Sequence, residues 1–117
     1  GPRRVPLELV YPSPFQPRGR PSGGAVRAVE EAAAAAGSLS ALMDDAGARL
    51  LAKLDPEARA LAELAADVEA NGVDTALEVR RTPRGLELLA GHRRLAAARL
   101  AGLADVPVDD RGEMSDD

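Results

Sequence analysis

"LEVRRTPRGLELLAGHRRLAAARLAGLADVPV", residues 77–108, decides how this chain is read. ALEVRR and LELLA are two short apolar-rich stretches on either side of TPRG, whose Pro83 and Gly85 mark a turn. The spacing predicts two strands joined by that turn. Gly91 then interrupts the pattern, and an alanine-rich helix is predicted from about Arg93 to Ala101, stopped by Gly102. DVPVDD, residues 105–110, reads as one more short strand. The helix opens with His92, Arg93 and Arg94, an arrangement that needs a reason. Cations in a first turn face the positive end of the helix dipole, which is locally unfavourable. An anion bound there removes the conflict, because free N–H groups and the dipole both attract it. Gly91 would allow close backbone approach, and two guanidinium groups would add charge-assisted hydrogen bonds to phosphate oxygens. A glycine turn followed by two solvated arginines fits the same spacing, so these residues alone leave both readings open.

Upstream of this stretch, PEARALAELAADVEANG has strong helix punctuation. Asp55-Pro56 gives an N-cap followed by proline at the first helical position, and Asn71-Gly72 gives a left-handed stop. Leu61, Leu64, Ala65 and Val68 form an apolar stripe between them. From Ala25 to Lys53 the composition is helical, and Gly37-Ser38 splits it into two predicted helices, the second reading SLSALMDDAGARLLAKL. Val5–Val10 alternates as a short strand, and Pro12, Pro14, Pro17 and Pro21 then favour an extended or turning path. The order is strand, helices, strand–turn–strand, helix, strand. That predicts an α+β fold, a small mixed sheet packed with helices, as a single domain over residues 1–117. Residues 19–60 read as an alanine-rich helical insert, with surface helices favoured over a partner-binding element. Residues 110–117 read as a frayed tail.

Composition narrows the function classes. Aromatic residues are 2% of the 117, so the core must be aliphatic. No cysteine is present, which excludes thiol catalysis and a disulfide framework. With one histidine and no cysteine, no zinc site is expected, and no residue is assigned as a metal ligand. No apolar run is long enough to span a bilayer, so no membrane partner and a cytoplasmic location are expected. The net charge of −4 conceals zoning: residues 79–99 hold six arginines and one acid, while residues 28–78 hold eleven acids and three bases. Basic blocks in an acidic chain suggest a local anion site rather than a duplex-binding face.

Taken in order, PSPFQPR, LAELAADVEANGV and the 77–108 stretch resemble the N-terminal domain of the ParB family of DNA-partition proteins, within the ParB/sulfiredoxin superfamily. The resemblance implies a module that binds CTP with Mg²⁺, forms a homodimer that closes as a clamp on DNA, and hydrolyses nucleotide slowly. It implies DNA reading by a domain outside this chain, a ParA-type ATPase partner, and association with nucleoid or plasmid. Residue by residue, Gly91, Arg93 and Arg94 match the triphosphate turn, and Gln16 and Arg18 match another nucleotide-proximal motif. Gly72, Val73 and Thr75 fall in the loop near base and ribose. His92 stands where the family's turn has glutamate; it is a nucleotide-binding candidate beside the arginines, since an imidazole can donate to phosphate, and catalytic residues stay unassigned. Thr75-Ala76 replaces a common Gln-Pro. These departures favour binding over hydrolysis and keep a non-hydrolysing association domain as an alternative. Superfamily enzymes are the other class: a sulfiredoxin-type reaction lacks its cysteine, a nuclease needs carboxylates of which residues 79–99 offer only Glu87, and a kinase type stays open.

Overall fold

A computed structural model describes residues 2–14 and 19–111. The α+β expectation holds: five strands form one mixed sheet with helices packed on it. The elements are β1 (Arg3–Pro6), β2 (Val10–Pro12), α1 (Gly23–Ala36), α2 (Leu39–Met43), α3 (Ala48–Lys53), α4 (Pro56–Asn71), β3 (Leu77–Thr82), β4 (Gly85–Ala90), α5 (His92–Ala101) and β5 (Asp105–Asp110). The strand order is β1-β5-β3-β4-β2. β3 and β4 form the antiparallel hairpin around Pro83-Arg84, with Arg81 opposite Leu86. β5 returns parallel to β3, Leu77 opposite Val108, after β4 and α5, with α5 connecting β4 to β5.

Three local expectations change. The Val5–Val10 strand is two strands, because Leu7–Leu9 makes a 3₁₀ turn that carries the chain across the sheet. β1 then pairs antiparallel with β5 at one edge, and β2 pairs parallel with β4 at the other. Edge placement also explains Pro12 in a strand, since an edge tolerates a residue without an N–H donor. The second insert helix is broken into α2, a 3₁₀ turn at Asp45–Gly47, and α3. Buried Gly47 sits so close to α2 that an added Cβ would lie 2.5 Å from the Ala41 carbonyl oxygen and 2.6 Å from Leu42 Cα. A continuous helix cannot make that approach. Thirdly, Asp110, where the predicted strand and the predicted tail overlap, belongs to β5, and the Arg111 N–H donates to the Val79 carbonyl at 2.7 Å. Residues 112–117 lie outside the described residues.

The core is aliphatic, as composition requires. Leu42, Leu61, Leu77, Leu88 and Leu95 are fully buried with Val10, Val29, Val79, Val106 and Val108. α4 packs on α5, and α1 and α2 pack on α4. The Asp55 carboxylate accepts from the Ala58 N–H at 2.9 Å, starting α4 as its sequence signature predicts. Ser22 does the same for α1, accepting from Ala25 N–H at 3.1 Å. Its hydroxyl also donates to Glu57 at 2.9 Å, tying the start of α1 to the first turn of α4. The first turn of α4 thus falls within residues 19–60, the stretch read as insert.

Candidate phosphate-binding site at the start of the last helix

Strand β4 leads straight into α5 through Gly91, whose backbone is left-handed (φ 104°, ψ 29°). Only glycine takes that conformation cheaply. A Cβ there would also lie 2.8 Å from Leu77 Cδ2, and Leu77 is fully buried. Two separate constraints therefore fix glycine at the turn. Having no side chain, Gly91 cannot cap α5, and the first turn contains no acidic residue. The opening N–H groups of the helix are left for something else.

Arg93 and Arg94 are both exposed. Neither has a hydrogen bond or ion pair among the described residues, whereas Arg3, Arg4, Arg80, Arg81 and Arg111 are all matched to acids. Together with Leu64 of α4, Leu89, Ala90, Gly91 and His92, the two arginines line a groove of about 520 Å³. The conflict with the helix dipole is real in the fold: two unneutralised cations stand at its positive end.

His92 departs from expectation. The helix begins at His92 rather than Arg93, and its side chain is buried at 9% exposure. Among the described residues its Nε2 has no hydrogen-bond partner. Burial lowers its pKa from the usual 6.5, and the nearby Arg20 charge lowers it further. The imidazole is therefore neutral at physiological pH and adds no positive charge to the turn.

Glu87, the one acid in the basic block, is not available either. It is buried on β4 and accepts from Arg80 Nε at 2.7 Å. That hydrogen bond, with help from Ser13 and against the cost of burial, keeps its pKa below the ordinary carboxylate value. No carboxylate lines the groove, and no cluster of three metal-ligating side chains occurs among the described residues. The donor set of N–H groups and guanidinium groups fits phosphate oxygens. It does not fit Mg²⁺, which prefers oxygen ligands.

The other sequence candidates lie elsewhere. Gly72 ends α4 with a positive φ of 78°, Val73 is half-buried against the core, and Thr75 is exposed with its hydroxyl 3.4 Å from Asp74 Oδ1. None of the three lines the Gly91 groove. Gln16 and Arg18 fall outside the described residues, although the following Gly19 reaches the groove. Sequence reasoning missed Arg20 and Arg99, which approach His92 from the other side. The available signal was the i, i+4, i+7 spacing of His92, Ala96 and Arg99, which places them on one face of α5.

A family model, the ParB N-terminal domain, matches residues 44–112, more than half of the chain. The chain belongs to that family. A probable chromosome-partitioning protein ParB from Vibrio cholerae is 44% identical over 68 residues, a match covering 53% of this chain and 22% of that protein. The chain thus spans less than a quarter of that relative. Two solved structures share the ParB fold. The C-terminally truncated chromosome-partitioning protein ParB from Caulobacter crescentus complexed with CTP-gamma-S has a TM-score of 0.54 and 22% identity, covering 96% of this chain and 44% of that one. The same truncated protein complexed to the centromeric parS site has a TM-score of 0.52 and 21% identity, covering 94% of this chain and 40% of that one. At these identities the likeness is one of fold.

Proposed function

We propose that this domain is a nucleotide-responsive module of a DNA-partition protein, and that its Gly91–Arg94 turn holds the phosphates of CTP. The carrying observation is the pair of unneutralised arginines at an uncapped helix start, where an anion relieves an otherwise unfavourable arrangement. Family membership and the CTP-gamma-S complex of a fold relative support CTP as the nucleotide. By the family resemblance, Gln16 and Arg18 are further nucleotide-binding residues, and Gly72, Val73 and Thr75 serve the base and ribose end. Bound nucleotide controls self-association of two such domains around DNA. Sequence is read by a domain outside these residues, and a ParA-type ATPase acts on the assembled cytoplasmic complex at nucleoid or plasmid. A parS-bound fold relative supports the DNA partner. Calorimetry with CTP, ATP and GTP tests the reading. Saturable CTP binding tighter than that of the two purine nucleotides is expected, and no binding of any triphosphate overturns it.

A specific observation favours binding without efficient cleavage. Hydrolysis needs a group that positions or activates water, or ligands for the metal that does so. His92 is buried and neutral where the family has glutamate, and the groove holds no carboxylate. Phosphate release under saturating CTP and Mg²⁺ should therefore stay near background for this chain. His92→Glu places a carboxylate in a buried position beside the phosphates, so it should weaken CTP binding and lower stability. Robust turnover by the unsubstituted chain would contradict this assignment for His92.

A further inference from the structure

A separate cleft of about 440 Å³ lies between α1 and α5, a volume within the range of small-molecule sites. It shares His92 with the Gly91 groove and no other lining residue. Val26, Leu95 and Leu100 give it an apolar wall, while Arg20, Arg27 and Arg99 bring three cations to it. Glu30 is the one acid in its lining, and among the described residues no ion pair joins Glu30 to any of the three arginines. Arg99 is held in place by donating to the Val10 carbonyl at 3.1 Å.

Two of these cations, Arg20 and Arg99, oppose one another. Burial and the Arg20 charge both disfavour the charged form of Arg99, and the same two effects keep His92 neutral. A guanidinium stays protonated in proteins, so an anion bound between Arg20 and Arg99 would relieve their repulsion. His92 adds an independent sign: a polar atom of a side chain nine-tenths buried, bordering the cleft, with no partner among the described residues. Native structures rarely leave such an atom unsatisfied without a reason. α1 lies outside residues 44–112, the part matched by the family model, and α5 lies inside it, so each contributes one wall of the cleft.

We propose that the α1–α5 cleft binds a small amphiphilic anion, an organic phosphate or carboxylate whose apolar body rests on Val26, Leu95 and Leu100 and whose charge is held by Arg20, Arg27 and Arg99. The His92 Nε2 atom supplies a hydrogen bond to a polar group of the same ligand. The cleft shares His92 with the Gly91–Arg94 turn, but none of the three arginines assigned here lines that groove, so the inference does not rest on nucleotide binding there.

Backbone amide NMR with phenyl phosphate, benzoate and inorganic phosphate as probes tests it. The two aromatic anions should give saturable shifts at Val26, Arg27, Leu95, Ala96 and Arg99, and the tighter of them identifies the preferred head group. Inorganic phosphate, lacking the apolar body, should bind this cleft more weakly. Arg27→Glu should weaken the preferred aromatic anion at least about tenfold, since it replaces a charge-assisted contact by a repulsive one. Arg27 is exposed, and Arg27→Ala, with a smaller loss, guards against misfolding of the charge reversal. Arg94→Ala should leave this binding unchanged while weakening CTP, so failure of one site is distinguishable from failure of the other. Shifts confined to residues 91–94, no saturable shifts, or full affinity in both Arg27 variants would overturn the proposal.

Discussion

Replacing Gly91 with alanine tests the turn at the level of backbone geometry, before any ligand is added. At φ 104° an L-residue is strained, at a cost of about 1–2 kcal/mol. The new methyl would also start 2.8 Å from Leu77 Cδ2. Leu77 is fully buried in the centre of the sheet and cannot swing into solvent. Overpacking of that kind costs about 1–3 kcal/mol. The two contributions together come to about 2–5 kcal/mol, against a total stability of about 5–15 kcal/mol for a typical domain. At roughly 4 °C per kcal/mol, thermal unfolding followed by circular dichroism should move down by about 8–20 °C. Adding Leu77→Val removes the atom that is struck but leaves the backbone strain. The double variant should therefore be less destabilised than the sum of the single ones. An unchanged melting temperature for Gly91→Ala would refute the geometry, and strict additivity would remove Leu77 from it.

Two further outcomes follow from buried groups. Because folding lowers the His92 pKa below 6.5, the unfolded chain binds the proton more readily than the fold does. Stability from this group is fully present above about pH 6.5 and is lost as pH falls through the window beneath it; His92→Leu should flatten that part of a denaturant-midpoint curve, and an unchanged slope would contradict the burial. The Glu87 pKa is lowered from 4.5, so its stabilisation is present above about pH 4.5 and is lost as pH falls below it. Gly47→Ala should cost about 1–3 kcal/mol by forcing α2 and α3 apart, read as a lower urea midpoint, and a neutral effect would count against the close approach at Ala41.

The elements best written in the sequence are those whose signals are local. Asp55-Pro56 and Asn71-Gly72 bracket α4, Pro83 and Gly85 mark the β3–β4 turn, and residues 105–110 form β5. What the sequence hid depends on distant contacts. Leu7–Leu9 turns because β1 and β2 lie at opposite sheet edges, and the partner of β1 is about a hundred residues away. Gly47 breaks a helix that composition favours because α2 lies against it. Gly91, Arg93 and Arg94 were legible through the dipole conflict they create. His92 was not: adjacency suggested a third donor beside the arginines, whereas the fold buries the ring toward Arg20 and Arg99. Arg20, Arg27 and Arg99 are far apart in the chain, and only the packing of α1 beside α5 brings them to one cleft.

The most direct test of the central claim is a calorimetric titration of CTP into the unsubstituted chain and into Arg94→Ala, with circular dichroism confirming that both are folded. A lost charge-assisted hydrogen bond costs about 1.5–3 kcal/mol, so affinity should fall roughly tenfold to a hundredfold. Arg94 is exposed and unpaired among the described residues, so stability should scarcely change. Undiminished CTP affinity in a folded Arg94→Ala variant would show that the start of α5 does not hold the phosphates.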